Sequence, residues 1–195
     1  PIDSPSPATF EGFVNCDTGV PFPTVTVNNS TTSGFLTMAQ ATAFSTNTYF
    51  MAIEERTGIC RVAEIAESMG VYTGSGDELP RVPTLTLGVA EVTPLAMANA
   101  YATFAAHGVH CEPRSILEVR DRNQKRLPVP EEKCTQVIDR PVADSVTELL
   151  SGVVDGPIAG RTGSRMSLAP QPVAGKTGTT NESAAVWFAG YTPHV

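Results

Sequence analysis

An α+β fold is predicted by two patterns and by their order along the chain. Helical periodicity of apolar residues fills the middle of the sequence. Two short apolar runs joined by a polar turn, 173–180 and 184–191, close it and read as an antiparallel hairpin. Helices followed by strands, without a βαβα alternation, place the chain in the α+β class. A length of 195 residues suits one domain, which at this size buries roughly 70% of its unfolded surface.

In chain order, residues 1 to 35 are rich in Pro, Thr, Ser, Asn and Gly, which predicts extended, loop-rich structure; residues 1–33 form a linker-like segment. Helical spacing starts at Leu36, with Leu36, Ala39, Gln40, Ala43 and Phe44 on one face. Ser45, Thr46 and Asn47 interrupt it with residue types that cap helices. Tyr49, Phe50 and Ile53 then carry a second helix toward Arg56, and Gly58 stops it. The interruption is therefore a tight joint between two helices. A third helix runs from Arg61 to Met69, ended by Gly70, and residues 73–87 read as loop. Thr93 as N-cap and Pro94 at the first helical position open a fourth helix, with Leu95, Met97, Ala98, Tyr101, Ala102 and Ala105 as its apolar positions and Gly108 closing it. Residues 115–120 and 125–127 flank a turn at 121–124 and form a hairpin. A fifth helix spans Pro141 to Val154, with Val142, Val146, Leu149, Leu150 and Val153 inward. No internal repeat is visible.

The closing hairpin carries Gly175-Lys176-Thr177-Gly178-Thr179-Thr180. A phosphate-binding loop needs a glycine four residues before its Gly-Lys-Thr. Pro170 stands there, followed by Gln171, Pro172 and Val173. Proline has no N–H for a phosphate and holds the chain extended, so that reading fails. A strand with a lysine and hydroxyls beside glycines can instead hold an anion and let its backbone approach a reacting carbonyl; the bland alternative is a surface strand with a solvated lysine. Ser45 and Asn47, one residue apart in the joint, offer a hydroxyl that can relay a proton and an amide that both donates and accepts. They suit a site where an amide bond is made or broken, or they simply cap helices. Lys176 near such a pair would be a desolvated amine sharing the relay, with Thr177 and Thr179 hydroxyls for a carboxylate and the Thr179 N–H as an oxyanion donor. His107 and His110, just past a helix end, read as a cap and a surface residue; Glu54 and Glu55 read as helix surface, and Trp187 as core.

A net charge of −7 and no Lys/Arg cluster argue against a nucleic-acid surface. The basic stretch from Arg120 to Arg126 contains Asp121 and reads as a solvated turn. No run of about 18 apolar residues spans a membrane, and no basic-then-apolar leader opens the chain. No C-x-x-C or His-rich spacing suggests a metal, and no cofactor is expected. Cys111 and Cys134 flank the internal hairpin, where a bridge would staple its base and imply an oxidising compartment. Cys16 and Cys60 are either a second bridge or buried thiols.

Ser45-Thr46-Asn47 followed by Lys176-Thr177-Gly178 resembles the second and third signature motifs of the penicillin-recognising serine enzymes. The strings 43–50, 87–98, 100–105 and 190–193 are similar to the transpeptidase domain of class A, bifunctional penicillin-binding proteins. The cysteine-flanked hairpin resembles actinobacterial members. The resemblance runs from about Gly34, giving a partial transpeptidase domain over residues 34–195 and implying an antiparallel sheet with flanking helices. It implies peptidoglycan cross-linking: a serine attacks a D-Ala–D-Ala stem peptide, releases D-alanine and passes the acyl group to an amine, and β-lactams acylate the same serine. Ser45 would relay a proton to the leaving group, Asn47 would hold the substrate's amide side chain, and Lys176 would supply positive potential. Thr177 and Thr179, with Gly178 between them, would bind the terminal carboxylate. The resemblance also implies a membrane anchor, a glycosyltransferase domain and an extracytoplasmic location for the parent chain. A β-lactamase or β-lactam sensor of the same superfamily, or a catalytically silent wall-binding module, are the rivals.

Three departures stand out. Ser-x-x-Lys, the family's first motif, is missing: Arg122, Pro130 and Val173 stand three residues before the lysines at 125, 133 and 176. The attacking serine is therefore expected outside this chain, whose abrupt ends suggest a piece of something longer. Ala185 occupies a place where relatives often carry aspartate, and Gly156-Pro157 replaces a common Gly-Thr.

Overall fold

The computed structural model describes residues 1–180 and 183–193. Four short strands lie in the first 36 residues. β1 (Ile2–Ser4) pairs antiparallel with β4 (Gly34–Leu36), and β2 (Ala8–Phe10) with β3 (Val25–Val27). Extended, loop-rich chain is what composition predicts here, and it is not detached. Phe10, Phe13 and Val27 enter the main apolar core with Met51, Ile59, Ala63, Leu79, Leu85 and Ala100. A bridge between Cys16 and Cys60 fastens the segment to the helices, resolving that pair as a disulfide.

α1 (Met38–Phe44) begins two residues after Leu36, which ends β4. The helix start is set by a capping box. Thr37 Oγ1 accepts from the Gln40 N–H at 3.3 Å, and the Thr37 N–H donates to Gln40 Oε1 at 2.9 Å. Its buried residues are Ala41, Thr42 and Ala43, while Ala39 and Gln40 are exposed. A helix this short, packed against α5 (Arg140–Val154), buries one end rather than one stripe. α2 (Asn47–Thr57) and α3 (Ile59–Ser68) meet at Gly58, whose φ of 87° turns the chain in one residue. Leu85–Leu87 forms a 3-10 turn against α2 and α3 within the segment read as loop, and Leu85 is buried.

α4 (Pro94–Ala105) opens as its sequence predicts, Thr93 Oγ1 accepting from the Ala96 N–H at 3.1 Å. Its buried residues are Ala100 and Thr103, whereas Leu95 is exposed. β5 (Val109–Cys111) pairs antiparallel with β8 (Cys134–Gln136), and the Cys111–Cys134 disulfide joins directly opposed residues. Between them β6 (Val119–Arg120) and β7 (Arg126–Leu127) make a hairpin shorter than the apolar run 115–120 predicts. Ile116 and Leu117 stay exposed there, so burial does not extend the ladder across them. On α5 the buried residues are Ala143, Leu150, Val153 and Val154; Val142 is exposed.

β9 (Ala174–Thr179) and β10 (Val186–Tyr191) pair antiparallel with Ala189 opposite Lys176 and Gly190 opposite Gly175. The predicted turn falls partly on residues 181 and 182, outside the described residues. Its flanks are closed by Thr180 N–H to Ala185 O at 3.0 Å and Ala185 N–H to Thr180 Oγ1 at 2.8 Å. α5 is the element that assembles the rest: α1 packs on it, and so does β9. The end of α1 and the middle of β9 are thereby brought to one place. The fold is α+β, and every sheet among the described residues has two strands.

Candidate active site

Ser45 is the C-cap of α1, with φ 56° and ψ 51°. A left-handed serine costs about 1 kcal/mol, offset here because its N–H and that of Thr46 still find α1 carbonyls, at Thr42 and Ala41. The turn lets α2 start at Asn47 and throws the Ser45 side chain clear of both helices. It meets Lys176: Nζ donates to Ser45 Oγ at 2.7 Å and to the Thr177 carbonyl at 2.9 Å. Burial pushes the Lys176 ammonium down to about 8, because the charged form loses water without gaining a carboxylate partner. This amine is thus able to change charge close to neutral pH while holding a seryl hydroxyl.

Asn47 sits beside this pair, but its Nδ2 donates to the Asn28 carbonyl at 3.0 Å rather than to Ser45 or Lys176. The neighbouring Asn29 does the capping that Thr46 does not: Asn29 Oδ1 accepts from the Thr48 N–H at 2.9 Å, and Nδ2 donates to Thr48 Oγ1 at 2.9 Å. No sequence motif singles out Asn28 and Asn29; two adjacent asparagines in a loop are the signal the chain offers. Thr177 Oγ1 donates to Thr162 Oγ1 at 2.8 Å, and Thr162 too belongs to no sequence motif. Gly178 and Thr179 lie exposed at the open end of β9. A side chain at Gly175 would meet the Phe188 ring at 2.5 Å, whereas one at Gly178 finds its nearest neighbour, Trp187 Cβ, at 3.7 Å. The first glycine packs the hairpin, and the second leaves a surface bare.

Several side chains stand elsewhere than the sequence predicts. Glu54 is not on the helix surface: it is 1% exposed, neither carboxylate oxygen has a full hydrogen bond, and burial pushes its carboxyl up to about 7. The pattern misled because α2 is enclosed by the 3-10 turn as well as by the core. Glu55 accepts from the Gly12 N–H at 2.7 Å. Trp187 is 38% exposed rather than core, since among the described residues β10 pairs with β9 on one side alone. His107 is exposed, with Nδ1 2.5 Å from Asp144 Oδ1, a hydrogen bond that holds Asp144 below the usual carboxylate range. His110 is half-buried, its Nδ1 3.3 Å from Thr103 Oγ1. Neither histidine touches the Ser45–Lys176 pair.

A helix joint thus presents a serine to a half-buried strand lysine, with α5 packed against both elements that carry them. Residues 14–194 match the family described as the penicillin binding protein transpeptidase domain. The chain belongs to that family, the match starting well ahead of Gly34. Within it, the chain resembles class A proteins of the penicillin-binding protein 1A type. It is 33% identical over 162 residues to penicillin-binding protein 1A of Aquifex aeolicus, covering 83% of this chain and 21% of the relative. Among solved structures it is similar to penicillin-binding protein PonA1 of Mycobacterium tuberculosis in complex with penicillin V, at 28% identity and a TM-score of 0.67, covering 98% of this chain and 51% of that one. Penicillin-binding protein 1A from Haemophilus influenzae superposes with a TM-score of 0.75 at 22% identity, covering 97% and 33%. The chain thus spans about a fifth of the length of the curated relatives it matches.

Proposed function

We propose that this chain forms the substrate-holding walls of a peptidoglycan cross-linking DD-transpeptidase whose attacking serine lies in a segment outside it. The observation that carries the reading is the Lys176 Nζ to Ser45 Oγ hydrogen bond, which joins two motifs 131 positions apart. In the reaction, a serine hydroxyl from the amino-terminal part attacks the carbonyl of the penultimate D-alanine, forming a C–O ester as the C–N bond breaks. The departing D-alanine amine takes its proton through Ser45, with Lys176 compensating the charge. An amine of a neighbouring strand then displaces the ester and restores the serine. Asn47 holds the acyl donor's amide, while Thr177 and Thr179, flanking Gly178, bind the terminal carboxylate. A β-lactam carries a carboxylate and a reactive amide in the same relation and enters the same site. No metal or cofactor takes part in this scheme.

The partners are the peptidoglycan stem peptide, β-lactams, and the remainder of the same protein with its glycosyltransferase domain and membrane anchor. Two disulfides support a location outside the cytoplasmic membrane, and no helix among the described residues is long and apolar enough to cross one. None of the three lysines has a serine three residues before it. Residues 1–195 alone therefore form no covalent adduct with a fluorescent penicillin, while the full-length protein does. Denaturing electrophoresis after incubation reads both. A labelled band from the isolated chain would place the nucleophile within it. An unlabelled full-length protein would sink the transpeptidase reading in favour of a silent module that binds wall peptide.

A further inference from the structure

We infer that Thr162 is a positioning residue for carboxylate recognition, acting through Thr177; this rests on the transpeptidase reading above. Thr162 is half-buried and held from both directions along the chain. Its own N–H donates to the Ala43 carbonyl at 2.9 Å, two residues before Ser45. On one side Arg161 donates Nε to the Val154 carbonyl at 2.9 Å and Nη1 to the Ile158 carbonyl at 3.3 Å, closing the turn after α5. On the other side Gly163 lies so near α5 that a Cβ would meet the Val153 carbonyl oxygen at 2.9 Å. Thr162 therefore presents a hydroxyl on a backbone with little freedom, and that hydroxyl is 2.8 Å from Thr177 Oγ1.

A threonine hydroxyl has one proton and two lone pairs. In the structure the Thr177 proton goes to Thr162. When a carboxylate arrives at β9, the Thr177 proton turns to the anion and the Thr162 hydroxyl turns to donate into the vacated Thr177 oxygen. Thr177 keeps its rotamer through the exchange, and its hydroxyl becomes a better donor because its oxygen is itself accepting. No covalent bond changes. Through its N–H to Ala43, the same residue keeps the carboxylate-binding strand in register with the Ser45 joint, so the two ends of one substrate are placed together.

The test uses the full-length protein and two probes, benzylpenicillin and its uncharged methyl ester. Second-order acylation rates and melting temperatures are compared for wild type, Thr162→Val and Thr162→Ser. Valine keeps the shape and loses the hydroxyl. Loss of support for a hydrogen bond to a charged group is expected to cost about tenfold with the acid, and far less with the ester. The ratio of acid to ester rates therefore falls in the valine variant and returns to within about threefold of wild type with serine. Equal slowing of both probes would show a purely structural role and overturn the inference, as would unchanged rates with both. A wild-type protein that neither probe acylates would overturn the transpeptidase reading itself, an outcome distinct from either of these.

Discussion

At the scale of single residues, the chemistry concentrates on Lys176. Its ammonium is half-buried, donates to Ser45 and to a backbone carbonyl, and titrates near 8 because of desolvation. For this base, a pKa lowered from 10.5 means that the cation is present below about 8 and lost as pH rises through it. If the positive charge is what steadies the Ser45 relay and draws in a carboxylate, β-lactam acylation by the full-length protein declines above about pH 8. Lys176→Arg, which keeps its charge to much higher pH, should then move that decline upward even if the overall rate drops. A falling limb at the same pH in both proteins would assign it to another group. The same physics applied to Glu54 shifts the pKa in the opposite direction. Burial favours the neutral acid, so one buried group approaches neutrality by losing a proton and the other by keeping one.

At the scale of elements, β9 shows how one short motif divides its labour. Gly175 is buried against Phe188 and lies opposite Gly190, and a methyl group there would force the β10 side chain or backbone away. Gly178 is exposed and has room for a methyl group. Gly175→Ala is therefore expected to lower the melting temperature by several degrees, consistent with an overpacking cost of about 1–3 kcal/mol. Gly178→Ala should melt as wild type but slow penicillin acylation of the full-length protein, because in the proposed transpeptidase site the added methyl group projects toward the bound ligand. Circular dichroism melts and acylation rates separate the two. Equal thermal losses would remove the distinction. What was legible in the sequence at this scale was local: the Thr93–Pro94 helix start, the Ser45 joint, the Gly58 turn and the terminal hairpin each follow from backbone preferences of a few residues. What was not legible depended on neighbours far along the chain. Val142 has the spacing of an inward residue yet faces solvent, Glu54 has the character of a surface residue yet is enclosed, and Thr162 gains its meaning only from Thr177. The Ser45–Lys176 contact was suggested by residue type, but its geometry is made by α5, which belongs to neither motif.

At the scale of the whole molecule, α1 and α4 pack on α5, α2 and α3 enter the main core, and the strands among the described residues remain in pairs. Two-stranded ribbons are marginal by themselves, and an open edge with apolar side chains is a place for another strand or helix to pack. β10 is such an edge. Val186, Trp187 and Phe188 are all exposed, and they border a groove of about 430 Å³ completed by Pro94, Met97 and Ala98 of α4. The curated relatives are several times longer than this chain, so the remainder of such a protein has ample length to cover that edge. Trp187 is the only tryptophan here, which makes its fluorescence a direct reporter of the edge in the isolated chain. Acrylamide should quench Trp187 readily in the isolated chain. In the full-length protein with every other tryptophan replaced by phenylalanine, quenching should be much weaker and the emission shifted to the blue. Equal quenching in the two would mean that the edge stays open in the complete protein. The site would then rest on α5 and the β9–β10 pair alone, without a wider sheet to stiffen the strand that carries Lys176.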